Sequence, residues 1–596
     1  MQVATALIFV SIALKASLLA VVLAAVSWFI HQFFIFPLFD PLRHLPGPSA
    51  SALQNHFSQV MNPSQSLDTH ERWTKSFGKT FKFHGFGRHD LRLMSFDFRA
   101  VTHVLTSPAF EKPWQTRRLL ARLIGRGIFS MEGSEHKLQR KIIGPAFTSL
   151  SIRNMTPVFV QKAQELCERW DSILSDEPSA PALDTEVPNQ LSEGVIDVAH
   201  WFSRASFDVI GLAGFNYHFH ALEDESEEIY LAYRRMFKIS DKGLGLRGLL
   251  DLYLPQLRRV WPTRDTTTID QSLRQIDKFG KNLIAKKKNS LATEQKHPPE
   301  IKEKDLLSIL IKSNLSSDPL KRLSDVELLD QCSTFLLAGS DSVSVALSWC
   351  LHFLALHPSI QTRLRQEITL GLSSYGLPHV SLNGDNSDCS ADSGFAEEYI
   401  RPLPLRSEGN NSHKAYSAAV ERLPFLNNVI REALRLCPPV HGTIRVATMD
   451  DHIPISHPIT LPDGTQETQY IKIRKGSYVH IPIEGLNYCS NIWGDDAQVF
   501  NPDRWLNLPP NARSPAYPGL GNMMTFGFGP HSCLGYKFTI TEMKMFLTTI
   551  LPRFEFSPVD DVQISKCNSI LTRPYITDKW ELGTQLPLQV KKLRAV

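Results

Sequence analysis

The chain has 596 residues, of which 42% are hydrophobic and 21% charged. That balance is ordinary for globular proteins and excludes a fibrous repeat or disorder throughout. Lys and Arg total 64 against 60 Asp and Glu, too even for a nucleic-acid binder, and eight scattered cysteines read as reduced thiols facing a cytosol, not as a disulfide scaffold.

Residues 16–38 read ASLLAVVLAAVSWFIHQFFIFPL and hold no Asp, Glu, Lys or Arg. As a helix they would span about 34 Å, enough for a hydrocarbon core of ~30 Å. Trp28, Phe33, Phe34 and Phe36 sit toward one end, where aromatic rings suit an interface. The stretch is longer than the apolar core of a signal peptide and has no basic start. Residues 1–38 are therefore expected to be an uncleaved, single-pass membrane anchor. Pro41, Pro46 and Pro48 cannot sit within a helix and stiffen the chain, so 39–49 reads as a hinge.

Residues 50–596 show no clean linker and are expected to form one domain. Helical patterns dominate, with strands predicted near 81–83, 91–95, 452–459, 470–473 and 478–481. This is a mostly α, α+β class. The segment 243–254 is apolar and reads either as core helix or as a piece dipping into a membrane. The Lys- and Glu-rich stretch 286–304 reads as a solvated loop. At 324–357 the sequence predicts a long helix. Ser324 and Glu327 form a capping box, and Pro358 ends it. Apolar residues cover nearly every side of 335–351, so this helix is expected to cross the core. Its centre holds Ala338-Gly339-Ser340-Asp341-Ser342. Glycine there costs about 1 kcal/mol; it marks either a tight helix crossing or a groove beside proton-handling groups. Residues 371–417 are crowded with Gly, Ser, Asn, Asp and Pro and read as a flexible surface insertion.

Glu432 and Arg435 lie three apart on a predicted helix and can pair. Near the C-terminus comes Phe526-Gly527-Phe528-Gly529-Pro530-His531-Ser532-Cys533-Leu534-Gly535, then a predicted helix at 536–551. Glycines let a loop lie close to a flat ligand and turn its N–H groups toward a sulfur. Those N–H groups and the helix start favour a thiolate, a strong iron ligand.

This FxxGxxxCxG segment resembles the haem-binding loop of the cytochrome P-450 family. The Glu432–Arg435 motif and Asn501-Pro502-Asp503-Arg504-Trp505, similar to the family's PERF segment, follow in the family's order. The resemblance implies a helix-rich haem domain with small sheets over 50–596. It implies heme b with Cys533 as iron ligand, and Arg504 joining Glu432 and Arg435 in a buried network. Phe526 and Gly339 would pack near the cofactor. His136, Arg140, Arg445 and His531 would hold the haem propionates; His136 stands where the family has Trp, and His531 where it often has Arg. Asp341 and Ser342 resemble the family's acid–alcohol pair, with Ser in the usual Thr place, and imply proton delivery.

The implied activity is a monooxygenase inserting one oxygen atom from O2 into a lipophilic small molecule. The chain after Cys533 is too short for a fused flavin domain, so a separate NADPH-dependent diflavin reductase is implied as electron donor. Lys137, Lys141 and Lys537 are candidates for its docking face. Stretches 122–129, 335–338, 440–443 and 569–572 would meet the substrate. The sequence resembles fungal microsomal members, which implies an endoplasmic reticulum membrane, a cytosol-facing catalytic domain and secondary metabolism of terpenoids or polyketides. Xenobiotic or fatty-acid hydroxylation is the alternative, and a non-enzymatic haem protein a more distant one.

Overall fold

The computed structural model describes residues 2–51, 55–175, 194–241, 246–296, 305–313, 322–373, 411–459 and 469–593. Most of the expected insertion at 371–417 lies outside the described residues. Its ends belong to the helices Pro358–Leu372 and Asn411–Glu421.

No Gly or Pro interrupts the first 36 residues, and a helix runs Gln2–Ile30 before a π turn at His31–Ile35 and a 3-10 turn at Phe36–Phe39. The helix thus starts well before residue 16. Lys15–Phe39 is long and apolar enough to cross a membrane, and protein buries none of its most apolar window. The expected hinge is held in place. Asp40 accepts the Leu42 N–H at 2.9 Å, and Lys82 N–H donates to Pro46 O at 2.9 Å. A Cβ on Gly47 would fall 2.0 Å from Lys82 O, so only glycine lets the chain lie this close to its neighbour.

Two compact units divide the chain: Met1–Lys112 with Gly442–Gly485, and Pro113–His441 with Leu486–Val596. Strands are numbered here along the chain. The first unit holds β1 (Thr80–His84), β2 (Leu91–Ser95), β3 (Phe110–Glu111), β5 (Thr443–Ala447), β6 (Asp451–Pro454), β7 (Tyr470–Ile473) and β8 (Tyr478–Ile481). Five of them form a sheet in the order β1-β2-β8-β5-β3, parallel only between β2 and β8. β6 and β7 pair separately. The strand expected over 452–459 stops at Pro454. Pro454 and Pro458 have no N–H to give a ladder.

The second unit holds β4 (Val195–Asp197), β9 (Phe554–Pro558), β10 (Ile564–Asn568), β11 (Thr572–Ile576) and β12 (Pro587–Lys592), in sheets β4-β12-β9 and β10-β11. Its axis is the core helix Asp325–Leu356, capped reciprocally by Ser324 and Glu327 as the sequence predicts. The helix Val198–Phe215, almost wholly buried, packs along it. The stretch expected as a loop from 286 instead continues the helix Arg264–Lys296. Buried Leu283 and Ile284 and a Lys287–Asp305 pair at 2.9 Å hold that helix inward; 297–304 lies outside the described residues. In the helix Leu246–Tyr253 Leu252 is buried while Leu250 and Tyr253 are exposed, so this short helix keeps apolar surface on both sides.

In the first unit His480 on β8 is buried, with Arg92 Nη1 3.2 Å from its Nε2 and the Phe83 ring edge-on at 4.9 Å. Burial, then Arg92 and His70, push its pKa well below the ordinary histidine value. Such a group stabilises the fold above its unfolded pKa of about 6.5, and that stability is lost as pH falls toward the folded value. His480→Gln should therefore flatten the acid side of the stability curve by up to one proton, about 1.4 kcal/mol per pH unit. Thermal unfolding between pH 7.5 and 5 reads this directly, and an unchanged slope would show that His480 protonates freely in the fold.

Candidate functional site

Among the described residues seven cysteines stand outside any disulfide. Burial pushes the thiols of Cys167, Cys332 and Cys350 up to about 12, which makes them inert. Cys533 differs. Its side chain is exposed on one side, yet deep enough that desolvation raises its thiol. The backbone N–H groups of Gly535 and Tyr536, with Arg140, oppose that rise. Gly527 and Gly529 take φ of +67° and +71°, which side chains rarely adopt. These two turns let Cys533 N–H reach Phe526 O at 2.8 Å, and Phe526 is buried edge-on against Tyr536 at 4.7 Å. The helix Tyr536–Ile550 follows directly, as expected to within a residue.

The helix Gly133–Ile143 lies against this loop. Arg140 donates to Ser532 O at 2.7 Å and Ser532 Oγ at 3.1 Å. The His136 and His531 rings are 3.9 Å apart, and His531 Nε2 is 2.9 Å from Glu132 Oε2. The structure therefore brings His136, Arg140, His531, Phe526 and Cys533 together. Glu132 was not foreseen; it is the extended N-cap residue of this helix, four positions before His136. Arg445 lies on β5 of the first unit, buried, and donates to Thr443 Oγ1 at 2.6 Å and Ile444 O at 3.0 Å.

A buried ion network backs the loop. Glu432 and Arg435, both with fully buried side chains, pair at 2.7 Å. Glu432 also accepts from Arg504 Nε at 3.3 Å, Trp505 Nε1 at 3.0 Å and Asn501 N–H at 3.1 Å. Arg435 Nη1 donates to Asn487 O and Ala497 O, each at 2.6 Å. Arg504 Nη1 reaches Asp496 Oδ1 at 2.5 Å. From there Asn487 accepts from Met524 N–H at 3.2 Å and donates to Thr525 Oγ1 at 3.0 Å. These two residues open the turn that leads into the cysteine loop. Asn487 and Asp496 have no local sequence signal, because their role exists only through partners far along the chain.

On the core helix a Cβ at Gly339 would fall 2.7 Å from Ile210 Cδ1. A side chain at this helix crossing would therefore need Ile210 to shift. Ser342 Oγ donates back to Ala338 O at 2.6 Å, which leaves its lone pairs free to accept. Asp341 is nine-tenths buried and paired with Arg573, a partner the sequence did not reveal.

The donor set fits an iron porphyrin. Among the described residues no three His, Cys, Asp or Glu side chains gather to hold a metal ion. A single thiol that accepts two N–H bonds suits an iron already held by a macrocycle. Cationic and imidazole groups beside the loop suit carboxylates. Fold and site together define a haem-thiolate protein of the mostly helical class.

The cytochrome P-450 family model matches residues 45–374 and 408–580, and the chain belongs to this family of monooxygenases. The gap in the match falls inside the stretch read as an insertion. Cytochrome P-450 monooxygenases 205 and 128 of Postia placenta are 32% and 33% identical to the chain, covering 94% and 96% of it and 94% and 97% of their own lengths. Cytochrome P-450 monooxygenase sphH of Aspergillus fumigatus is 30% identical over 89% of this chain and 86% of its own.

Removing one member of a buried charge network strands the others and costs on the order of 3–5 kcal/mol. Arg504→Ala should lower the unfolding free energy by that amount, and the denaturation midpoint and the yield of haem-loaded protein with it. Arg504→Lys should recover less than half, since one ammonium cannot replace a fork that serves Glu432, Trp493 O and Asp496. An unshifted midpoint in Arg504→Ala would show that the network adds nothing to stability.

Proposed function

We propose that this chain is a membrane-anchored monooxygenase of fungal secondary metabolism, acting on a lipophilic terpenoid or polyketide. The observation that carries the reading is Cys533, open on one side and receiving two backbone N–H groups. Haem, when bound, supplies dioxygen activation with electrons drawn from NADPH through a diflavin reductase. Cys533 would be its thiolate ligand, and the Gly535 and Tyr536 N–H groups oppose the burial that raises its thiol. His136, Arg140, Arg445 and His531 hold the propionates, and Phe526 and Gly339 pack near the ring. Asp341 and Ser342 pass protons in the interior of the core helix.

Residues 1–38 anchor the chain in the endoplasmic reticulum membrane, and 39–49 connect it to a cytosol-facing haem domain over 50–596, interrupted by the insertion at 371–417. The exposed apolar helix at Lys15–Phe39 supports the anchor. The fungal sources of the relatives support the setting. The apolar character of Phe129, Phe335, Leu336 and Leu571 supports a lipophilic substrate. Lys137, Lys141 and Lys537 are exposed and offer an acidic reductase a basic face.

The first test is the reduced, carbon-monoxide-bound difference spectrum of membranes expressing the chain. Wild type should give a strongly red-shifted Soret band, absent from Cys533→Ser. A band retained in the variant would remove Cys533 as ligand. Charge reversal of Lys137, Lys141 and Lys537 together should cut reductase-driven turnover at least fivefold and spare peroxide-driven turnover; equal loss in both assays would reject the docking face.

A further inference from the structure

Asp341 is tied to the C-terminal hairpin. Arg573, on β11, gives Nη1 to Asp341 Oδ1 at 2.9 Å and Nη2 to Asp341 Oδ2. The Nε of the same guanidinium lies 2.6 Å from Asp241 Oδ2, without the alignment of a good hydrogen bond. Asp241 is the last residue of the helix Glu228–Asp241, and its Oδ1 accepts from Ser569 Oγ at 2.7 Å. The side chains are 2%, 7% and 11% exposed for Arg573, Asp241 and Asp341. The other titratable groups facing them are Arg234, Cys567 and Tyr575. Burial opposes the charge on Arg573, but Asp341 and Asp241 outweigh it and hold the guanidinium firmly protonated.

Two carboxylates therefore share one buried cation. A buried guanidinium left without a counter-charge is strongly destabilising. In a simple ion pair that penalty would pin Asp341 in place. Here Asp241 remains beside Arg573 when Asp341 turns away. The three groups come from the core helix, a helix end and the hairpin, and Ser569 of the hairpin belongs to a stretch proposed to meet substrate.

We propose that Arg573 is a positioning residue shared by two carboxylates, and that Asp241 lets Asp341 leave the ion pair to carry a proton without stranding a buried cation. The inference rests on the reading of Asp341 as proton carrier. Asp341 takes a proton from water as it leaves the pair, gives it up toward the reacting centre and returns to Arg573 as a carboxylate. Asp241 touches no reacting atom; it acts through Arg573.

The full-length, haem-loaded protein tests this as wild type, Asp241→Asn, Asp341→Asn and the double variant. Each single variant should fold with a modest loss in melting temperature. The double variant should lose at least twice the sum of the single losses, or fail to fold while both singles do, because Arg573 then has no counter-ion. Additive losses overturn the shared cation, as does failure of either single variant to fold. In turnover, Asp241→Asn should raise the solvent deuterium isotope effect and at least double the peroxide released per NADPH, with an unaltered carbon-monoxide spectrum. A structural contact alone would move neither ratio, so an unchanged isotope effect overturns the positioning role. Asp341→Asn separates the two ideas: if it leaves the isotope effect untouched, Asp341 is not the proton carrier, while the thermal cycle still decides whether the cation is shared.

Discussion

Glu432 is the constraint on which the functional half of this molecule depends. A carboxylate with no solvent contact would be driven from its charged form by desolvation. Here it accepts from Arg435, Arg504, Trp505 and the Asn501 backbone, so each lone pair has a donor. The cations are bound in turn to carbonyls of the 487–499 segment. One helix turn thus fixes a long irregular meander that has no ladder of its own. That meander carries Asn487, which fixes the backbone just before the cysteine loop. The thiol is positioned by a chain of hydrogen bonds that begins in a buried ion pair.

Buried charge recurs around the core helix with a different outcome. The Glu432 network has every group satisfied in one geometry, which favours rigidity. Around Arg573 two acids compete for one base, which favours alternatives. The first arrangement suits a fixed loop; the second suits a group that must change partners. The cysteine loop adds a third case, where burial raises the thiol and the N–H groups with Arg140 oppose it only in part.

Much of this was legible in local sequence. The capping box and Pro358 gave the two ends of the core helix, and FxxGxxxCxG marked the loop that holds Gly527 and Gly529 at positive φ. β2, β7 and β8 were found because short alternating runs bounded by turn residues say strand. β4, β9 and β12 were not, because they pair across long separations, and the hairpin of β10 and β11 was not, because its residues carry no period that distinguishes them from loop. The stretch from 286 reads as loop because a run rich in Lys and Glu looks solvated, but 286–296 contains no helix breaker, and Leu283, Ile284 and Lys287 seat it inward. Gly339 shows an ambiguity that local sequence leaves open: the residues allow groove or crossing, and the fold brings Ile210 Cδ1 within 2.7 Å of where a Cβ would stand.

By itself the sequence determined the family, the apolar N-terminal segment, the glycine-rich cysteine loop and the helix behind it, because each is written in residues near one another along the chain. Only the tertiary structure decided the partners. Asp341 and Arg573 are separated by 232 positions, Arg140 and Ser532 by 392, and nothing local to either residue encodes the other. A side chain's charge state and freedom to move follow from what the fold packs against it, and that is a property of contacts no short window of sequence contains.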